Sequence, residues 1–178
     1  MNRRKLKLVL AIGVLSLLGG VGVALATGGN NFMERLTGYE ETPQSLSTPA
    51  SGEFTLNINR RSETLDYELS YRGFETPVLQ AHVHFGAAAT TGGISVFLCT
   101  NLGNGSADTP ACPSPGGTVS GTLDAEDVVG PAAQGIAPGE FAELLDAIRA
   151  GYTYANIHSQ ARPAGEIRAQ LEVGDASD

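Results

Sequence analysis

An antiparallel Greek-key β-sandwich with one short helix is the fold this sequence predicts, and three observations predict it. From Gly52 to Tyr71 the chain alternates with period two: Phe54, Leu56, Ile58, Leu65, Tyr67, Leu69 and Tyr71 share one face, and Asn59 to Glu63 supply a turn between them. Seven or eight such strand-like runs follow one another at short spacing, punctuated by Gly, Pro and Asn. Only one segment, Pro138 to Ala150, repeats its apolar residues at helical spacing. A chain of 178 residues has room for one core plus accessory segments.

The N-terminus reads as a secretory signal peptide over residues 1–26. Arg3, Arg4, Lys5 and Lys7 form a basic start, Leu8 to Val23 an apolar run, and Ala24-Leu25-Ala26 a small-x-small cleavage site. The alternative is an uncleaved anchor, because the apolar run approaches the length that spans a bilayer. A flexible lead-in is assigned to residues 27–35, overlapping a first strand over Phe32 to Tyr39 that stops at the turn Glu40-Glu41-Thr42-Pro43. The sandwich domain is taken as 36–173 and the acidic tail 174–178 as disordered.

After the hairpin, Gly73 and Pro77 turn the chain into a strand that ends at Gly86. Ile94 to Leu98 and Gly117 to Leu123 read as further strands, and Asp124 as the N-cap of a helical turn. In the helix, Pro138 suits the first turn, Glu140 and Arg149 complement the dipole, and Gly151 stops it. Phe141, Leu144, Leu145 and Ile148 make its apolar stripe. Tyr152 to His158 and Ile167 to Val173 supply the last strands.

Charge narrows the partners. Loss of residues 1–26 removes every lysine and leaves seven Arg against 19 Asp and Glu, a formal charge of −12. Such a surface opposes nucleic acid and anionic lipid, so no nucleic-acid partner is expected, and no membrane contact beyond the signal segment. The chain is expected to be exported, to the medium or the cell envelope, and monomeric, with an extracellular or envelope partner that the residues do not name. Cys99 and Cys112 bracket a loop of Gly, Asn, Ser, Asp and Pro, and behind a signal peptide an oxidised pair is the natural expectation.

The chemistry centres on histidine. In Gln80-Ala81-His82-Val83-His84-Phe85-Gly86, His82 and His84 project from one side of a strand while Ala81, Val83 and Phe85 face the other. The remaining histidine, His158, lies in the run Tyr152 to His158. If the two strands are neighbours, all three imidazoles converge, and three imidazoles with an open position suit copper or zinc. The competing expectation is a rigid polar core in which the rings hydrogen-bond to Glu166 or Asn156. Glu166 and Arg168 flank Ile167 and so share a face; a bond from Glu166 to a histidine N–H, or a Glu166–Arg168 ion pair, would fit there.

Four blocks carry a family resemblance: Ala81-His82-Val83-His84-Phe85-Gly86, Gly92 to Cys99, Gly151-x-x-Tyr-Ala-Asn-Ile-His158, and Gly165-Glu166-Ile167-Arg168-Ala169-Gln170-Leu171. In order and spacing they resemble the chordin domain (CHRD), found in the secreted inhibitor chordin and in many exported bacterial proteins. The resemblance implies an immunoglobulin-like or superoxide-dismutase-like sandwich. A more distant likeness is to copper–zinc superoxide dismutases, with His82, His84 and His158 similar to copper ligands and Arg168 to the active-site arginine. This chain has no bridging fourth histidine and no histidine-bearing zinc loop, and its disulfide lies elsewhere.

Hydrolase chemistry lacks players here, for no Gly-x-Ser-x-Gly, phosphate-binding loop or His-Glu-x-x-His occurs. The function expected is therefore an exported CHRD-type binding module holding copper or zinc on His82, His84 and His158, with Glu166, Arg168 and Asn156 around them. Two alternatives stand beside it: a copper-dependent redox enzyme resembling superoxide dismutase, and a metal-free interaction or adhesion module.

Overall fold

The computed structural model describes residues 30–172, so the expected signal segment, the start of the lead-in and the tail lie outside the described residues. Eight strands form: β1 (Asn31–Thr37), β2 (Ser51–Asn59), β3 (Thr64–Arg72), β4 (Val78–Phe85), β5 (Gly93–Thr100), β6 (Gly117–Leu123), β7 (Thr153–Ser159) and β8 (Ile167–Gln170). The helix α1 spans Phe141–Arg149. All strand pairs are antiparallel, in the order β5-β4-β7-β8-β1-β2-β3-β6.

The alternating hairpin sits where its pattern demands. Phe54, Leu56, Ile58, Leu65, Tyr67, Leu69 and Tyr71 are all buried in one core with Leu36, Val83, Val96, Leu98, Ile157 and Ile167. The single sheet thus wraps into a nearly closed barrel, or sandwich, of two four-stranded halves. Between β8 and β1 the ladder is reduced to the pair Thr37↔Arg168. Beside it, side chains replace main-chain acceptors: the Glu40 carboxylate accepts from the Gln170 N–H at 3.3 Å and that of Glu34 from the Glu172 N–H at 3.0 Å. At the opposite opening the Tyr67 hydroxyl donates to the Leu98 carbonyl at 2.6 Å, tying β3 to β5.

Strand β1, the helix and strand β8 differ from expectation. Strand β1 starts at Asn31, inside the stretch assigned to a flexible lead-in, because Phe32 and Leu36 both reach the core and β2 pairs with all its residues. The helix begins at Phe141 rather than Pro138, since the chain is still turning at Gly139, whose φ is +86° and whose N–H donates to the Val128 carbonyl. Its buried stripe is Phe141, Leu144, Ala147 and Ile148, while Leu145 is only partly buried at the edge of the contact. Gly151 ends the helix in the left-handed region, with φ +74°.

Strand β8 stops at Gln170, short of the expected Val173, while the expected cap and disulfide are present. Asp124 caps a short 3-10 turn (Ala125–Asp127): its carboxylate accepts from the Glu126 N–H, and Asp127 reciprocates to the Asp124 N–H. Cys99 and Cys112 form a disulfide, and both are buried.

Candidate metal centre

Strand pairing brings the histidines together. β4 lies beside β7 with Gln80 opposite His158, His82 opposite Asn156 and His84 opposite Tyr154. Ala81 and Val83 point into the core, so His82, His84 and His158 share the other face of this half-sheet. That face is covered too. His82 is 0%, His84 8% and His158 6% exposed, which closes all three rings off from bulk water. The Phe97 ring packs edge-on against His82 at 4.5 Å, and the Tyr154 ring stacks on His84 at 4.8 Å.

One ring nitrogen from each histidine lies within 4.8 Å of the others. Hydrogen bonds decide which nitrogens are free. His84 Nδ1 is 3.1 Å from the Gly92 carbonyl and His158 Nδ1 is 3.0 Å from the Pro163 carbonyl. A carbonyl can only accept, so both protons sit on Nδ1 and both Nε2 atoms carry lone pairs. His82 Nδ1 lies 3.1 Å from His158 Nε2. The Nε2 atoms of His82 and His84 are buried with no hydrogen-bond partner. An orphaned buried lone pair is costly in a finished polar core, and it is what a metal site leaves when the metal is subtracted.

Electrostatics keep the rings in the ligand form. Burial, reinforced by the neighbouring imidazoles His158 and His84, pulls His82 down to about 2. Burial and His158 pull His84 down to about 4, and burial lowers His158 as well. All three are neutral at neutral pH, as metal coordination requires.

The polar residues named from sequence sit nearby but do different work. Glu166 reaches neither a histidine nor Arg168. Its carboxylate accepts from the Thr48 hydroxyl at 2.6 Å and from the Ser159 hydroxyl, which are closer along the sandwich edge. Asn156 donates to Glu41 at 2.5 Å and to the Ile167 carbonyl at 2.9 Å, so it too leaves the imidazoles alone. Arg168 is 2% exposed, and its terminal nitrogens donate to Thr42 Oγ1, Gln170 Oε1 and the carbonyls of Thr90 and Ala87. Its guanidinium carbon lies 3.4 Å from the centre of the Tyr154 ring, a cation–π contact. The arginine therefore pins the loop after β4 to β8.

Sequence reasoning missed Glu41 and the part played by Tyr154. Glu41 looked like one residue of a surface turn, yet it is 7% exposed and burial raises its carboxyl to about 7. Gly165 makes room for it: a Cβ there would stand 2.8 and 2.9 Å from the two Glu41 oxygens. Tyr154 supplies its hydroxyl to the Gly92 N–H at 3.0 Å, and so holds the very residue whose carbonyl orients His84. The tyrosine alternates correctly in its strand, but nothing local marks a partner 62 residues away.

The family model of the CHRD domain matches residues 32–171. No curated protein and no solved structure matches the chain.

Proposed function

From its membership of the CHRD family, shown over residues 32–171, together with the three-histidine cluster, we propose that this chain is an exported binding module that holds a copper or zinc ion on His82, His84 and His158. The observation that carries this reading is the preset tautomer of His84, whose buried Nε2 lone pair is orphaned beside the other two imidazoles. His84 and His158 are locked by Nδ1–H bonds to backbone carbonyls, and of these two the buried Nε2 of His84 has no hydrogen-bond partner. Export is supported by the Cys99–Cys112 disulfide and by the signal-like residues 1–26. Arg168 favours a module over a redox enzyme, since it is buried and its terminal nitrogens already serve loop carbonyls and neutral side chains.

One observation favours the metal-free alternative: the 3.1 Å contact between His82 Nδ1 and His158 Nε2 is also hydrogen-bond length. The test is metal analysis of protein isolated from the cell envelope or medium, followed by titration of the stripped protein with copper and zinc. One ion per chain, lost in His84→Ala and His158→Ala variants that remain folded, is the expected result. Indifference to both metals, with His84→Ala unfolding the chain, would leave the histidines as a structural hydrogen-bonded core.

A further inference from the structure

Resting on the metal reading above, we propose that the three-histidine centre is selective for copper(I), in preference to copper(II) and zinc(II). Donor count discriminates among these ions. The cluster brings together three imidazoles and, among the described residues, no cysteine, aspartate or glutamate joins it. Zinc in proteins takes four ligands, or three plus a water, and copper(II) prefers a tetragonal N,O environment. A fourth ligand from solvent needs access, yet all three rings are closed off from bulk water. Phe97 and Tyr154 occupy the flanks of His82 and His84 with carbon rather than with donors. Copper(I), a filled-shell monovalent ion, is content with three nitrogen ligands.

Charge points the same way. Neutral imidazoles leave the whole charge of the ion uncompensated, and the penalty for burying a charge in a dry site rises steeply with its magnitude. The nearest buried carboxyls are engaged elsewhere, Glu41 with Asn156 and Glu166 with Thr48 and Ser159. The fixed cation of Arg168 lies against Tyr154, the ring stacked on His84, and adds to the repulsion of a second positive charge. A site built from these parts accepts a monovalent ion more readily than a divalent one.

The experiment is a competition titration of the full chain. Copper(I) is offered anaerobically with ascorbate, which spares the Cys99–Cys112 disulfide, against a copper(I) chelator; zinc(II) and copper(II) are offered in parallel against their own chelators. One copper(I) per chain in a nitrogen-only, three-coordinate shell by X-ray absorption, with zinc and copper(II) bound orders of magnitude more weakly, is expected. Zinc or copper(II) binding as tightly as copper(I) would overturn the selectivity while leaving the metal site intact. Failure of all three ions to bind would remove the site itself and the selectivity with it. A Phe97→His variant adds a fourth imidazole beside His82 and is expected to raise zinc affinity more than copper(I) affinity. An equal rise for both would contradict the donor-count argument.

Discussion

His84 and Tyr154 lie face to face across the β4–β7 pair, their rings 4.8 Å apart and 3° from parallel. The same tyrosine accepts a hydrogen bond from the Gly92 N–H, and the Gly92 carbonyl accepts from His84 Nδ1. A closed circuit of stacking and hydrogen bonds thus fixes the direction in which His84 Nε2 points.

Opening that circuit gives the first prediction. Tyr154→Phe keeps the stack but leaves the Gly92 N–H without its acceptor, which should lower stability by about 1–2 kcal/mol. Because His84 then loses its preset orientation, metal affinity should fall by ~10-fold or more, in the range seen when an outer-shell partner is lost. Urea denaturation and metal competition on the same variant check both. Unchanged affinity would mean that Gly92 does not orient the histidine.

The buried carboxyl of Glu41 makes stability depend on pH in a direction opposite to the histidines. Its folded value, about 7, lies above the 4.5 of an unperturbed Glu, so between those values the folded chain holds the extra proton. Stability from this group is therefore full below pH ~4.5 and is lost as pH rises through 7. The histidines, shifted down, contribute full stability above ~6.5 and lose it as pH falls toward 4 for His84 and about 2 for His82. Glu41→Gln should accordingly match the parent near pH 4.5 and exceed it in stability at pH 8. Parallel stability–pH curves for the two proteins would show that Glu41 does not titrate late.

Helix packing is tested by two neighbouring leucines. Leu144 is fully buried, whereas Leu145 lies at the contact edge. Leu144→Asp should cost several kcal/mol or prevent folding, because it buries an unpaired charge, while Leu145→Asp should cost clearly less. Equal losses in chemical denaturation would mean the stripe is rotated from the one described.

The disulfide closes a loop across a sequence separation of 13 residues. Replacing both Cys99 and Cys112 with Ala should lower stability by roughly 3 kcal/mol on the chain-entropy account. In the oxidised protein neither sulfur should react with a thiol reagent until the chain is both unfolded and reduced; prompt labelling of freshly isolated protein would contradict the pairing.

Much of this protein was legible in the chain because its information is local. Period-two alternation assigned the β2–β3 hairpin and put His82 and His84 on one side of β4, since successive strand side chains must point to opposite faces whatever the strand pairs with. Helical spacing found α1, although Leu145 and Ala147 exchanged importance, because the angle at which the helix meets the sheet is set by its neighbours. Cys99 and Cys112, the only two cysteines, could pair in one way alone.

What only the tertiary structure decided concerns partners distant along the chain. Whether β4 lies beside β7, and hence whether His158 joins His82 and His84, depends on strand order, which no residue pattern within either strand encodes. The same holds for the carbonyls of Gly92 and Pro163 that choose the tautomers, for Thr48 and Ser159 drawing Glu166 away from the histidines, and for Glu41, a turn residue by its neighbours and a buried acid by its fold. Side-chain periodicity specifies a face, while the energy of a buried polar group is set by the atoms it meets there, and those come from other strands and loops.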